Sequence, residues 1–544
     1  MSSIADPIKE GLARGWKVLG QSHAALPAAL DCDVAIVGSG AGAGITAELL
    51  AKAGLKVLII EEGPLRSSSD FKQREAQAYA ELYQEGAGRK TTDQAMNILQ
   101  GRCVGGSTTV NWTGSFRTPP DALDAWVKDF GLSDCSPEKL APWFEQVEKR
   151  LNISDWLAEP NGNNDVLRRG TGKLGIPAKV VQRNVKGCWN LGSCGLGCPT
   201  NAKQSMLVTT IPAALDLGAT LLVQTRAQRL VLQGDAVQAL ICQPVGLDGS
   251  PNGPELRITA RHFVVAGGAI NSPALLLRSN APDPHKLLGT RTFLHPTVAN
   301  HAQMPAPVEG WAGAPLSVFS DHFLHQGPAD GPIGYKLEVA PIHPGFAMTN
   351  LGGVGPTLAE RAKLMPYANV MIGLLRDGFH AESVGGSVGL KSDGSPQLNY
   401  PLNTYLLDGA RRAHLSMSEI QFAAGAKTVR PVHEMARDYT TWAEAKDAIN
   451  KLAYKPFLTT VGSAHVMGGC RMAADAGRGV VRPDGQHWQL NNLSVHDGSV
   501  FPTSIGANPQ LSVYSQAARM ASGLAKRLSG REVRLVEAGD AARG

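Results

Sequence analysis

The chain has 544 residues, 43% hydrophobic and 18% charged, an ordinary globular composition with enough chain for two or more buried cores. Its formal charge of +5 is spread without a dense Lys/Arg block, so nothing marks a nucleic-acid partner. No apolar run reaches the roughly 18 residues that a membrane-spanning helix needs.

Taken in chain order, residues 1–27 read as an N-terminal extension. Met1 to Gly20 has no charged region leading into an apolar stretch and no twin arginine, so no export signal is expected in this chain. That reading places the protein in the cytoplasm or peripherally at an inner membrane, with export alongside a partner as the alternative. Ile8, Leu12, Trp16 and Leu19 fall on one helical face, which suits a short helix packed on the body or a foothold on a membrane surface. Residues 34–37 and 57–60 read as buried strands flanking a helix at 45–52, one βαβ unit of a parallel sheet. Helices are expected at 137–151 and 164–174, leading into a cysteine-rich loop. Strands follow from 218 to 241, with a turn at Gly234 and Asp235, and another at 262–266. Alternation at 334–340 suggests an antiparallel sheet, followed by helices at 406–424 and 441–453. Glycine-rich, ligand-binding character returns after Thr460, and the tail 533–544 is expected to fray. The fold class is therefore α/β: a discontinuous Rossmann-like dinucleotide domain (28–130, 200–299, 456–530), a helical lid segment (131–199), and an inserted α+β substrate domain (300–455).

Gly38-Ser39-Gly40-Ala41-Gly42-Ala43 matches G-x-G-x-x-G/A between a strand and a helix. Gly38 permits the tight turn, Gly40 lets backbone approach a pyrophosphate, and the small Ala43 lets helix and strand pack closely. The helix N-terminus then offers free N–H groups to the phosphates. Glu61, at the end of the next strand, stands where a carboxylate accepts hydrogen bonds from ribose hydroxyls. The motif by itself does not separate FAD from NAD.

Four longer motifs do. Gly101-Arg102-Cys103-Val104-Gly105-Gly106-Ser107-Thr108-Thr109-Val110-Asn111 resembles the first signature of the glucose–methanol–choline (GMC) oxidoreductases. The stretch from Gly268 to Ser279 resembles the second, Ala464 to Met472 the catalytic-histidine segment, and Val495 to Thr503 with Gly506-Ala507-Asn508-Pro509 the C-terminal flavin stretch. The resemblance implies FAD, with Arg102, Gly105, Gly106, Ser107, Asn111, Asp497, Gly498 and Pro509 as further cofactor contacts. It implies an alcohol oxidation in which His465 is the general base, Asn508 polarises the alcohol oxygen, and flavin N5 takes the hydride. His496 and His295 are read as structural or supporting.

Cys188, Cys194 and Cys198 are spaced C-x5-C-x3-C on a glycine-rich loop. Three cysteines with no nearby histidine suit an iron–sulfur cluster better than zinc. The spacing resembles the iron–sulfur segment of bacterial FAD-dependent glucose dehydrogenases, which implies a [3Fe–4S] cluster; another metal, a redox disulfide or plain buried thiols are the alternatives. A cluster would favour a dehydrogenase over an oxidase, with a small subunit, cytochrome or quinone as electron acceptor. The neighbourhood of Val110-Asn111-Trp112-Thr113, Leu167-Arg168-Arg169-Gly170, Arg183-Asn184 and Lys203-Gln204 looks like the long-chain fatty-alcohol oxidase branch, which implies an aliphatic primary alcohol as substrate. Sugar or sterol oxidation remains the alternative within the class. A GMC-fold lyase or decarboxylase, or a non-catalytic electron-transfer subunit, is the alternative outside it.

Overall fold

Three buried, β-branched runs set the first layer. Ala29–Val37, Val57–Ile60 and Leu256–Val265 lie side by side and parallel, with Val34 opposite Val57 and His262. The computed structural model describes residues 4–21 and 26–536. It extends this layer to eight strands in the order Lys17–Leu19, Thr220–Leu222, Val57–Ile60, Ala29–Val37, Leu256–Val265, Ala236–Pro244, Thr225–Gln233, with Leu493–Val495 also parallel to Leu256–Val265. Only the hairpin side, Ala236–Pro244 with its two neighbours, is antiparallel. Parallel strands need cover on both faces. The helix Ala41–Lys52 lies almost wholly buried against the helices Gln510–Ser529 and Thr210–Asp216.

A second, six-stranded sheet runs Tyr335–Val339, Ala368–Leu375, Thr297–Gln303, Val461–Ser463, Met96–Ile98, with Thr428–Pro431 also paired to Thr297–Gln303. The helix Thr404–Ala423 covers one of its faces, burying Leu406, Ala410, Ala413, Met417 and Ile420. This sheet takes its edge strand from 96–98 and the strand beside it from 461–463, both outside 300–455. That exchange sets His465 directly beyond a strand of the second sheet while its neighbours Met467 and Gly468 pair with Thr290–Phe293.

Helix positions follow the sequence periodicity, and the caps explain the small boundary shifts. Pro137–Arg150, Gly162–Leu174, Thr404–Ala423 and Trp442–Lys451 begin at Ser136, Asn161, Asn403 and Thr441, each of whose side chains accepts a backbone N–H of the first turn. The N-terminal face differs from its expectation. The helix is only Pro7–Ala13; Gly15 turns at φ +97°, and Leu19 enters the strand Lys17–Leu19. Ile8 is buried, and Leu12, Trp16 and Leu19 pack on the same core. The expected frayed tail is tied down as far as it is described: Leu535 is buried and its carbonyl accepts from Lys52 Nζ at 2.8 Å, while 537–544 lie outside the described residues.

Candidate functional site

The C-terminal ends of three parallel strands, marked by Val37, Ile60 and Val265, open into a cavity of about 1040 Å³ whose far wall is the uncovered face of the second sheet. Open α/β sheets hold ligands at this end, and the volume exceeds a single small-molecule pocket. Gly38, Gly40, Glu61, Arg102, Gly106, Ser107, Asn111, His465, Asp497, Gly498, Asn508 and Pro509 all line it. Ala43 and Gly105 are absent from the lining. Ala43 is buried in the helix packing, and Gly105 turns at φ +88° and donates its N–H to Ser39 Oγ at 3.0 Å.

Ser39 Oγ in turn donates to Glu61 Oε2 at 2.6 Å, and Glu61 Oε1 accepts from Gly63 N at 2.8 Å. Burial pushes the Glu61 carboxyl up to about 7, against these hydrogen bonds. The two glycine turns abut: a Cβ on Gly106 would lie 2.8 Å from Gly40 Cα. This backbone-lined channel fits a dinucleotide, and the helices Ala41–Lys52 and Gln510–Ser529 both start at its wall, where their free N–H groups suit phosphate and an anionic ring. Arg102 lines the cavity with its side chain largely engaged. Its guanidinium is committed to Glu62 Oε1 at 3.0 Å and to the carbonyls of Leu247 and Gly246, so it braces the wall with few donors to spare. Asp497 is similarly engaged, accepting from Gly268 N, Ser272 Oγ and Ser499 N.

His465 and Asn508 face the same chamber. His465 Nδ1 lies 3.1 Å from Nδ1 of His295, whose fully buried ring leaves its Nε2 without a partner among the described residues. Two neutral imidazoles paired in this way share one proton. Enclosure pushes His465 down to about 4, opposed by the nearby Glu338 carboxylate. Asn508 Oδ1 accepts from Lys336 Nζ at 3.0 Å, and its Nδ2 donates to Glu338 Oε2 at 3.2 Å. Lys336 and Glu338 were not legible as site residues. Their i, i+2 spacing in Tyr335–Val339 reads as the wet face of a strand, yet both are buried.

His262, His414 and His496 are pushed by burial to about 3 and His487 to about 4, and His295 is lowered well below the usual imidazole range. Unfolded imidazoles titrate near 6.5. Between about pH 6.5 and 4 the unfolded chain therefore binds protons that the folded chain refuses, so stability is full above 6.5 and falls as pH drops through that window. Glu61 and Asp377, raised to about 7 and about 6, act in the opposite sense but are fewer. The thermal midpoint is expected to drop steeply between pH 6.5 and 4, and a flat profile by scanning calorimetry would contradict the burial of these rings.

Cys188, Cys194 and Cys198 line a separate cavity of about 30 Å³. Among the described residues no three His, Cys, Asp or Glu side chains are grouped to hold a metal ion, so the iron–sulfur expectation finds no support here. Two of the thiols have hydrogen-bond partners. Cys194 Sγ accepts from Arg183 Nη2 at 3.7 Å, and Cys198 Sγ meets Thr200 Oγ1 at 3.4 Å. Lys203 is buried, with Nζ donating to the carbonyls of Thr109, Asn111 and Cys194. The segments around 111, 183, 194 and 203 thus form one polar cluster that ties the cysteine loop to the cavity wall.

Two family models, both described as GMC oxidoreductase, match residues 79–297 and 381–517. The long-chain-alcohol oxidases FAO4B and FAO1 of Arabidopsis thaliana are 29% and 28% identical, over 89% and 92% of this chain and 66% and 68% of theirs. The chain thus spans about two thirds of the length of these plant relatives. The 6'''-hydroxyparomomycin C oxidase of Streptomyces lividus is 27% identical, with 96% of this chain and 97% of that protein covered. Formate oxidase from Aspergillus oryzae superposes with a TM-score of 0.68 at 16% identity, covering 92% of this chain and 99% of its own. Pyridoxine 4-oxidase from Mesorbium loti gives 0.65 at 19%, covering 90% and 98%. These relatives are named as oxidases, so the preference for a dehydrogenase finds no support among them. With the two models covering most of its length and the glycine-lined cavity in place, the chain belongs to the GMC oxidoreductase family of FAD flavoproteins.

Proposed function

We propose that the protein oxidises an aliphatic primary alcohol to its aldehyde, with His465 taking the hydroxyl proton and Asn508 holding the oxygen. The observation that carries this reading is the convergence of both side chains on the chamber that the glycine turns also line. FAD, when bound along those turns, supplies the acceptor for the carbinol hydride. Gly38, Gly40, Gly106 and Ser107 would hold it by backbone approach, Glu61 by ribose hydroxyls, and Asn111, Gly498 and Pro509 would complete the lining.

His465 is neutral at pH 7, the state that accepts a proton. In the tautomer that donates Nδ1–H to His295, Nε2 carries the free lone pair; among the described residues that nitrogen has no hydrogen-bond partner. The Glu338 carboxylate would offset the imidazolium that forms. Asn508 Nδ2 keeps one N–H beyond the one given to Glu338, and this hydrogen stabilises negative charge on the alcohol oxygen. The walls beyond them, including Leu316, Ile342, Val370, Ile372 and Val432, are apolar and suit an alkyl chain. The relatives' names favour dioxygen as the final electron acceptor.

Anaerobic mixing of the yellow protein with alcohols of increasing chain length tests this. Absorbance should bleach, with KM falling as the chain lengthens, and admission of air should restore colour with oxygen consumed. Asn508→Ala should slow bleaching by about 10²–10³, the usual cost of one oxyanion donor. A wild-type protein that keeps its colour with every alcohol overturns the reading.

A further inference from the structure

We propose that Lys336 is a positioning residue that locks the carboxamide of Asn508 with its oxygen turned inward and its amino group towards Glu338 and the chamber. This rests on the alcohol-oxidation reading for the task of Asn508, and on geometry for the lock.

A carboxamide can be turned over with little change in shape, so its neighbours decide its orientation. Lys336 carries only donors and Glu338, when ionised, only acceptors. Lys336 Nζ lies 3.0 Å from Asn508 Oδ1 and Glu338 Oε2 lies 3.2 Å from Asn508 Nδ2. The same ammonium pairs with Glu338 Oε1 at 2.8 Å. The three side chains thus form a closed ring in which both contacts to the amide select the same orientation. Turning the amide over would set N–H against ammonium and C=O against carboxylate, losing both bonds at once.

The environment makes that loss expensive. Lys336 and Glu338 are 2% and 1% exposed, and the ammonium sits 2.9 Å from the ring centroid of Phe116 and 4.6 Å from that of Phe319. Water cannot replace a lost partner there, so an unmatched polar group bears its full desolvation cost. Lys336 and Glu338 can face the same way because alternate residues of a strand share a face. Tyr335, Leu337 and Val339 turn to the other, in the core beneath Thr404–Ala423.

The lock holds only while Lys336 is charged. Burial lowers it to about 8, helped by the push of Lys179 and opposed by the pull of Glu338 and the more distant Asp321, to which Lys179 is itself paired at 2.9 Å. His295 and His465 also feel its charge but are neutral at that pH. Flavin reduction by alcohol should therefore decline as pH rises through about 8.

The test is a cycle of Lys336→Met, Asn508→Ala and the double variant, with Lys336→Arg as the conservative control. Lys336→Met should slow anaerobic reduction about tenfold or more at pH 7, chiefly in kcat, with FAD content unchanged. The double variant should match Asn508→Ala within about twofold, since a positioning residue has no effect once its client is gone. Lys336→Arg should keep activity above pH 8, because guanidinium stays protonated. If Lys336→Met leaves a bare carboxylate and folds poorly, Lys336→Met with Glu338→Gln serves in its place. Independent, multiplying effects on the rate, or an alkaline limb that survives in Lys336→Arg, would overturn the proposal. Thermal midpoints of the same four proteins give a readout that needs no turnover, and additive losses there would overturn the lock as well. Wild-type protein inert to all alcohols but with coupled midpoints would sink the alcohol reading and leave the lock standing.

Discussion

Replacing His465 by alanine is expected to cut the rate of alcohol-driven flavin reduction by about 10²–10⁴ while FAD stays bound. The side chain reaches the chamber from a short loop after Val461–Ser463, with its own N–H anchored on Ser463 Oγ at 3.1 Å, so its removal takes away a proton acceptor without touching the glycine turns. Stopped-flow absorbance under anaerobic conditions reads the effect, and the flavin-to-protein ratio reads retention. A loss of less than about tenfold would show that another group, such as Glu338, carries the proton. His295 offers a graded control. Its Nδ1 fixes which nitrogen of His465 is free, so His295→Ala should lower kcat by less than His465→Ala and shift the acidic limb of the pH profile.

The second large effect is expected at Gly42. A Cβ there would lie 1.6 Å from the carbonyl oxygen of His496 and 2.7 Å from its carbon, and both are backbone atoms of the loop that carries Asp497 and Gly498 to the cavity. Gly42→Ala must therefore push the helix Ala41–Lys52 away from that loop, and the purified protein should lack FAD or fail to accumulate in soluble form. Gly40→Ala makes the comparison. A Cβ at that position meets only Gly106 Cα at 3.9 Å, so the fold should survive, yet the methyl would stand in the cofactor channel and weaken FAD retention. Equal flavin content in the two variants would contradict this assignment of roles.

The glycine motif shows how far periodicity and spacing reach. G-x-G-x-x-A correctly set Gly38 at a tight turn, with φ +98°, and Ala43 in the packing. It did not single out Gly42, because what Gly42 meets is a loop more than 450 residues away in the chain. The catalytic-histidine segment was legible as a motif, whereas the proton-sharing partner His295 was only a histidine before a proline. Lys336 and Glu338 left no signal at all, since alternating charges on a strand ordinarily mark a face in water. The cysteine loop was legible only in part. Its spacing suggested converging ligands, and the fold does bring all three cysteines to one small cavity, with Arg183 at Cys194 and Thr200 at Cys198.

Local sequence by itself determined the βαβ unit, the helices and their caps, and the glycine turns, because these depend on the residue's own backbone freedom, on hydrogen bonds a few residues away, and on apolar period. Only the tertiary structure decided which polar groups are buried together. The second sheet recruits strands from three distant stretches, and that assembly brings Glu338, Asn508 and His465 to one chamber, with Lys336 and His295 bonded behind them. The strength of a charge or a hydrogen bond depends on the water removed around it, and no stretch of chain carries that information until its distant neighbours arrive.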